Sequence, residues 1–149
     1  MTDISRTSSA VWRGDLRNGR GDVTTGSGVL QNIPYSVATR FENQPGSNPE
    51  ELIAAAHAAC FAMAFSGVLA GHGFTPQALQ VQSTCTVSSQ NGGGWKISHV
   101  HLQVSGQVPG IEAAEFERLA HEADQGCPIS NLLRGGVSTD LEIKNQIPV

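Results

Sequence analysis

The longest hydrophobic feature of the chain is an apolar stretch from Leu52 to Gly71 that carries no formal charge. This pattern predicts a helix that is apolar on every face, which in a globular protein is enclosed by other segments. Gly71, Gly73 and Pro76 predict its end. We therefore expect a central helix around which the rest of the chain wraps.

Two signals predict that this helix begins near Pro49. Ser47 and Glu50 have the spacing of a capping box. Asn48 followed by Pro49 fits an N-cap residue followed by proline at the first helical position. The sequence leaves the choice between the two caps open.

The same stretch is close to the length that spans a bilayer. It begins directly after Glu50 and Glu51, contains His57, and has no Lys, Arg, Trp or Tyr at its ends. Membrane-spanning helices usually carry such anchors at the lipid surface. We therefore expect no membrane association.

Segments on both sides of the helix have strand patterns. Three short segments precede it, separated by the turn sequences LRNGRG and LQNIP, and they are Ser9–Arg13, Gly21–Thr25 and Tyr35–Phe41. After the helix, apolar and polar residues alternate from Leu79 to Val87, and NGGG turns the chain into a strand from Trp95 to Val104. These patterns predict an N-terminal meander and a long hairpin.

The last third of the chain predicts two helices and a strand. An amphipathic helix is indicated by apolar residues at helical spacing, which are Ala113, Phe116, Leu119, Ala120 and Ala123. A short helix is expected from Pro128 through Leu133. A closing strand is indicated by the alternating residues Val137, Thr139, Leu141 and Ile143. The order of elements predicts one α+β domain over residues 1–149 with antiparallel sheets.

Composition narrows the function classes. The net charge is −4, and the nine Lys and Arg residues form no basic stripe, so nucleic acid is not an expected partner. The N-terminus has no apolar segment after a basic start and does not resemble a signal peptide. Three cysteines are too few for a secreted disulfide framework. We expect a cytoplasmic protein with reduced thiols.

Two of the cysteines have positions that favour thiol redox chemistry. Cys127 directly precedes Pro128, so the free N–H groups and positive dipole end of the short helix would stabilise its thiolate. Cys60 lies about 15 Å along the apolar helix from its start and needs activation by a group from elsewhere. A cysteine peroxidase requires one thiolate to attack the peroxide and a second thiol to trap the sulfenic acid.

Several motifs occur together and in order along nearly the whole chain. They are ATRFE around Arg40, GSNPEELIAAAHAACFAMAFS around Cys60, the turn PGI, and GCPIS around Cys127. Through them the chain resembles the OsmC branch of the OsmC/Ohr organic hydroperoxide reductases. The resemblance implies an intertwined homodimer that reduces organic hydroperoxides to alcohols in oxidative or osmotic stress defence.

The same resemblance implies roles for four residues. Cys60 is the peroxidatic cysteine that becomes a sulfenic acid, and Cys127 is the resolving cysteine that closes a disulfide with it. Arg40 and Glu50 organise the thiolate. A dithiol of the lipoyl type, or another cellular thiol, restores the reduced enzyme, and no metal or organic cofactor is required.

The positions of Glu50 and of the arginine leave alternatives open. Glu50 precedes Cys60 by about 15 Å of helical rise and about 1000° of rotation, so the two cannot meet on one straight helix. If two helices pack antiparallel in a dimer, each Glu50 reaches the other chain's Cys60 and two composite sites form. The alternatives are a kinked helix or a Glu50 that only caps. In the Ohr branch the arginine comes from an earlier loop, where this chain offers Arg17 and Arg20.

Other residues have both structural and functional interpretations. His57 lies three positions before Cys60 and is either its partner or, as we favour, a buried histidine bonded to a carbonyl. Cys85 is expected to point into the sheet's buried face and to be dispensable. Two roles are possible for four further apolar residues, lining a substrate pocket or packing in the core. These residues are Phe41, Phe61, Met63 and Phe65.

Two rival functions belong to other classes. His57, Cys60 and Cys127, with either His72 or His121, could form a structural zinc site, although no CxxC or HExxH spacing supports one. Alternatively, the protein is a non-catalytic stress protein that binds hydrophobic ligands between its subunits, with cysteines that only pack.

Overall fold

The computed structural model describes residues 1–136 and 140–142. Its regular elements are β1 (Ser8–Arg13), β2 (Arg20–Thr25), β3 (Ile33–Tyr35), α1 (Val37–Phe41), α2 (Pro49–Gly71), β4 (Ala78–Ser89), β5 (Trp95–Gln107), α3 (Ala113–Gly126) and α4 (Pro128–Gly135). The fold is α+β with antiparallel sheets, as predicted. Val137, Thr139 and Ile143 of the predicted closing strand lie outside the described residues, so that strand stays a prediction.

The chain forms two compact units. The first contains Met1–Ala55 and Ser83–His101, and the second contains Ala56–Gln82 and the described residues from Leu102 onward. Helix α2 and the β4–β5 hairpin contribute residues to both units. The single domain expected from the sequence stays a prediction.

The first unit contains a three-stranded antiparallel sheet in the order β1-β2-β3. Gly21 on the central strand pairs with Trp12 on one side and Tyr35 on the other. A Cβ atom at Gly21 would lie 2.6 Å from the Tyr35 ring and 2.9 Å from the Trp12 ring. The two rings, with centroids 5.5 Å apart, therefore pack over a position that only glycine leaves open.

The predicted strand Tyr35–Phe41 is wrong beyond its first residue, because the chain turns into α1 at Ser36. The Ser36 hydroxyl accepts the Thr39 N–H at 3.2 Å, and the Thr39 hydroxyl oxygen accepts the Ser36 N–H at 2.8 Å. This reciprocal capping box satisfies N–H groups that a helix start leaves free. A local hydrogen-bond pattern thus overrides the strand preference of the valine, threonine and aromatic residues.

Of the two predicted caps at the start of α2, the structure forms the one at Asn48. The Asn48 side chain accepts the Glu51 N–H at 2.8 Å, which makes Asn48 the N-cap and places Pro49 at the first helical position. Ser47 instead donates from its hydroxyl to the Glu51 carboxylate at 3.2 Å. The capping box between Ser47 and Glu50 is therefore not formed, and the Glu50 carboxylate is available for another partner.

The second unit contains the hydrophobic core. A stripe at helical spacing on α2, formed by Phe61, Phe65 and Leu69, packs against Leu119 and Ala123 of α3. α3 is thus the amphipathic helix that the sequence predicts, with its apolar side on the core.

The described residues do not enclose helix α2 on all sides, so full enclosure by the chain stays a prediction. Among the described residues it is the one helix that is long and apolar enough to cross a membrane. Only 22% of its most apolar 18-residue segment is buried. Met63, for example, is 78% exposed. One face of α2 belongs to the core, and the described residues leave apolar side chains on other faces uncovered.

Candidate active site

Two predicted site residues, Cys60 and Cys127, are neighbours in the second unit. Cys60 lies in the middle of α2, and Cys127 ends α3 and forms the N-cap of α4. Their thiols are free and close enough to share a hydrogen bond. Cys127 is fully buried in the core cluster, and Cys60 packs against that cluster while half-buried. The fold therefore brings together the two sulfurs that the sequence separates widely.

The two thiols differ in the direction of their pKa. Burial raises the pKa of Cys60. The Ile129 N–H lowers this pKa, the adjacent Cys127 raises it further, and the net shift is upward. Burial also disfavours ionisation of Cys127, but its pKa is lowered by the Ser130 N–H and hydroxyl, by the Cys60 thiol and by the Ile129 N–H. Ile129 and Ser130 are in the first turn of α4, so these influences on Cys127 come from the helix start, although its side chain forms no capping hydrogen bond. All groups that set these two pKa values belong to the second unit.

His57 is buried beside this pair and bonds to a hydroxyl, while the expected bond to a carbonyl stays a prediction. Its Nε2 atom lies 2.7 Å from the Ser130 hydroxyl oxygen. Burial lowers the pKa of His57, Asp124 opposes this effect and Arg134 adds to it. Burial therefore favours the neutral ring, which bonds to a hydroxyl on the same helix turn that acts on Cys127.

An ion pair at the junction of α3 and α4 supports this arrangement. Arg134 Nη1 lies 2.7 Å from Asp124 Oδ2, and Arg134 Nη2 donates to the Asp124 carbonyl at 2.9 Å. Burial disfavours the charged form of Asp124, but hydrogen bonds from Arg134 and Ser130 lower its pKa overall. Sequence reasoning missed both Ser130 and Asp124. Ser130 had one usable signal, since it is the polar residue three positions after Cys127.

The other two predicted site residues, Arg40 and Glu50, form a forked ion pair in the first unit. Arg40 Nε donates to both Glu50 carboxylate oxygens at 3.2 and 3.1 Å, and Arg40 Nη2 donates to Oε1 at 2.6 Å. Glu50 is 7% exposed. The hydrogen bond lowers the pKa of Glu50 and raises that of Arg40, so both groups stay charged. Of the predicted arginines, Arg40 pairs with Glu50, whereas Arg17 and Arg20 form no ion pair with a described residue.

Aromatic residues flank this ion pair. The Arg40 guanidinium lies 5.0 Å from the centre of the Phe41 ring, and that ring stacks on Trp95 with centroids 4.6 Å apart. Phe41 is therefore part of an aromatic pair beside the arginine, not of the core. Phe61 and Phe65 are core residues, as the simpler interpretation has it.

Cys85 lies in the first unit, on β4, and is half-buried. Burial raises its pKa, and the negative charge of Glu50 adds to this effect. Both influences keep Cys85 protonated, as expected for a thiol that packs. Its dispensability stays a prediction.

Within residues 1–136 and 140–142, no three His, Cys, Asp or Glu side chains are grouped as a metal site would require. His57 bonds to the Ser130 hydroxyl, and that hydroxyl lowers the pKa of Cys127. The described geometry therefore gives the zinc interpretation no support.

An α+β fold that places two free thiols in contact, one of them at a helix start, is typical of thiol-dependent redox proteins. Comparison with known proteins specifies the class. The OsmC-like protein family matches residues 41–142. The chain belongs to the OsmC family.

Individual relatives cover nearly the whole chain. Peroxiredoxin OsmC of Escherichia coli (strain K12) is 41% identical over 142 residues, which cover 95% of this chain and 99% of that protein. Organic hydroperoxide resistance protein OhrB of Bacillus subtilis (strain 168) is 32% identical over 129 residues, which cover 86% of this chain and 93% of that protein. The crystal structure of OhrB of Bacillus subtilis matches with a TM-score of 0.65 at 26% identity and covers 93% of this chain and 98% of that one.

Proposed function

We propose that this protein is a thiol-dependent peroxidase that reduces organic hydroperoxides to alcohols in oxidative or osmotic stress defence. The observation that carries the proposal is the contact between Cys60 and Cys127, two free thiols from different helices. The relatives named peroxiredoxin and organic hydroperoxide resistance protein support the same activity.

The reaction proceeds in three steps. The Cys60 thiolate attacks the peroxide oxygen distal to carbon, the O–O bond breaks, and the alkoxide takes a proton and leaves as an alcohol. The Cys127 thiolate then attacks the sulfenic sulfur of Cys60, which releases hydroxide as water and forms a disulfide. An external dithiol of the lipoyl type, or another cellular thiol, reduces the disulfide and is itself oxidised.

Activation of Cys60 requires a cation, because burial and its neighbour raise its pKa. The proposed cation is Arg40, held in plane by its fork to Glu50. Glu50 and Cys60 are about 15 Å apart along α2, so we assign Arg40 and Glu50 of one subunit to the Cys60 of the other. The functional unit is then a homodimer with two composite sites.

The uncovered apolar surface of α2 supports a homodimer. Met63 is 78% exposed on a helix whose composition is otherwise typical of a protein interior. An exposed apolar face of this kind commonly marks an interface.

A cytoplasmic location agrees with three free cysteines, which a reducing compartment preserves.

Peptide mapping after oxidation tests the proposal. The reduced protein receives one equivalent of cumene hydroperoxide and is then alkylated, digested and analysed by mass spectrometry. The unaltered chain should yield a Cys60–Cys127 disulfide, and Cys127→Ser should yield a trapped sulfenic acid at Cys60. Cys60→Ser should consume no peroxide.

Cys85→Ser is the matched control and should behave like the unaltered protein. Untouched Cys60 in the Cys127→Ser variant would count against the assignment. Peroxide consumption that survives in Cys60→Ser would refute it.

A further inference from the structure

The buried hydroxyl of Ser130 joins groups from three helices. Ser130 is the third residue of α4 and is 4% exposed. His57 Nε2 on α2 lies 2.7 Å from its oxygen, and the hydroxyl is near enough to the Asp124 carboxylate of α3 and to the Cys127 sulfur to lower the pKa of both. The described side chains include no buried polar atom without a partner, so this cluster is fully satisfied.

A serine hydroxyl has one hydrogen to donate and can accept two hydrogen bonds. The Asp124 carboxylate and a Cys127 thiolate both require that hydrogen, so they compete for it. His57 can donate to the same oxygen when its Nε2 carries the proton. The hydroxyl therefore has two arrangements, one directed at Asp124 and one directed at the sulfur.

The charges around this hydroxyl favour donation of its hydrogen to the sulfur when Cys127 ionises. Arg134 already binds Asp124 at 2.7 Å, and it also donates to the Asn131 side chain at 3.0 Å. Asp124 thus keeps a strong partner when the serine hydrogen turns away. A Cys127 thiolate, fully buried in the core, has a greater need for a donor.

We propose that Ser130 is a positioning residue for the resolving step, in which its hydroxyl, oriented by His57 and Asp124, donates to the Cys127 thiolate and aims it at Cys60. This inference rests on the proposed function and adds a residue to it. In that step the sulfenic sulfur of Cys60 is reduced and the Cys127 sulfur is oxidised. The S–O bond breaks as the S–S bond forms, and the departing hydroxide takes the proton that Cys127 lost.

Rapid-quench measurement of disulfide closure tests this role in the full-length chain. After one equivalent of cumene hydroperoxide, Cys60 sulfenic acid and Cys60–Cys127 disulfide are quantified over time by trapping and mass spectrometry. In Ser130→Ala, Cys60 should still be oxidised, but the disulfide should form at least about tenfold more slowly, the usual effect of losing a hydrogen bond to a charged group. The pH at which closure is half-maximal should rise, because the hydroxyl lowers the pKa of Cys127. Ser130→Thr, which keeps the hydroxyl, should restore closure.

Two comparison variants separate this role from a structural one. Ser105→Ala makes the same change at an exposed site on β5 and should leave closure unaltered. His57→Leu/Ser130→Ala removes both members of the 2.7 Å pair, which limits the folding cost, and should close as slowly as the single variant. Closure at the unaltered rate in the double variant would mean that a disturbed histidine caused the delay, and the role of Ser130 would be refuted.

The same experiment distinguishes failure of the two proposals. If the unaltered protein never oxidises Cys60, both the proposed function and this role are refuted. If Cys60 is oxidised and Ser130→Ala closes at the unaltered rate and pH, only the role of Ser130 is refuted.

Discussion

At the residue scale, the fold prepares the two cysteines differently. Cys127 has its pKa lowered by the first turn of α4 and by Ser130, whereas burial raises the pKa of Cys60. In the proposed reaction Cys60 must ionise first. The groups of the second unit by themselves instead favour ionisation of Cys127. The proposed cation is Arg40, whose orientation is fixed by three hydrogen bonds to Glu50.

Removal of that cation should raise the pH at which Cys60 reacts. In Arg40→Ala, the midpoint of Cys60 alkylation should move upward by about one pH unit or more, because an opposite charge near a thiolate favours ionisation by at least that amount. The measurement is iodoacetamide labelling against pH, with Cys60 identified by mass mapping. Arg20→Ala serves as the control, since Arg20 is an exposed arginine that does not pair with Glu50. A shift in Arg20→Ala with none in Arg40→Ala would transfer the role to Arg20.

At the element scale, helix ends decide where the functional side chains lie. The Ser36 cap turns the chain into α1, from which Arg40 reaches Glu50. At the other end of α2, the Phe74 N–H binds the Leu69 carbonyl at 2.9 Å and the Gly73 N–H binds the Ala70 carbonyl at 3.0 Å. This is a Schellman motif, and it requires a left-handed residue at Gly73, whose φ is +85°.

Substitution of that glycine should destabilise the protein for conformational reasons alone. A Cβ atom at Gly73 would meet nothing within 4 Å, so the cost of Gly73→Ala is the left-handed backbone, about 1 kcal/mol in the free energy of unfolding. Gly71→Ala is the matched control, because it also meets nothing within 4 Å and lies inside the helix at negative φ. It should be neutral or stabilising. Urea unfolding measures both, and equal effects would contradict the explanation.

At the scale of the whole molecule, apolar burial is uneven. Every fully buried apolar side chain among the described residues belongs to the second unit. In the first unit, Phe41 is 37% exposed and Trp95 is 56% exposed. In the second unit, Met63 of α2 is 78% exposed. Apolar surface of this kind favours association with a second copy, which agrees with the proposed composite sites.

Mixed dimers should show whether each site draws on two chains. Cys60→Ser and Arg40→Ala should each have little activity alone. When the two variants are co-expressed, a mixed dimer has one site with both Cys60 and Arg40 intact. Random pairing should then recover about a quarter of the activity, since half of the dimers are mixed and each has one complete site of two.

The outcome of that experiment depends on the architecture of the site. A site formed within one chain would stay incomplete in both variants, so absence of recovery despite demonstrated mixed dimers would refute the composite site. Sedimentation of the unaltered protein provides the necessary check that a dimer forms.

The sequence by itself determined the features that depend on neighbours along the chain. It predicted α2 and its Asn48–Pro49 start, the β4–β5 hairpin, and the α4 helix start at Cys127, because periodicity and caps are local signals. The resemblance of its motifs indicated the family. The capping box at Ser36 was also local, and it was missed because the residues around it favour a strand.

Only the tertiary structure decided which distant groups meet. The bond between His57 and Ser130 joins residues 73 positions apart, and the contact of Cys60 with Cys127 likewise depends on how α2, α3 and α4 pack. Local preferences hold no information on such pairs, because several packings satisfy the same pattern of apolar positions. The resemblance assigned Arg40 and Glu50 to one task, but their ion pair required α1 where the sequence predicted a strand.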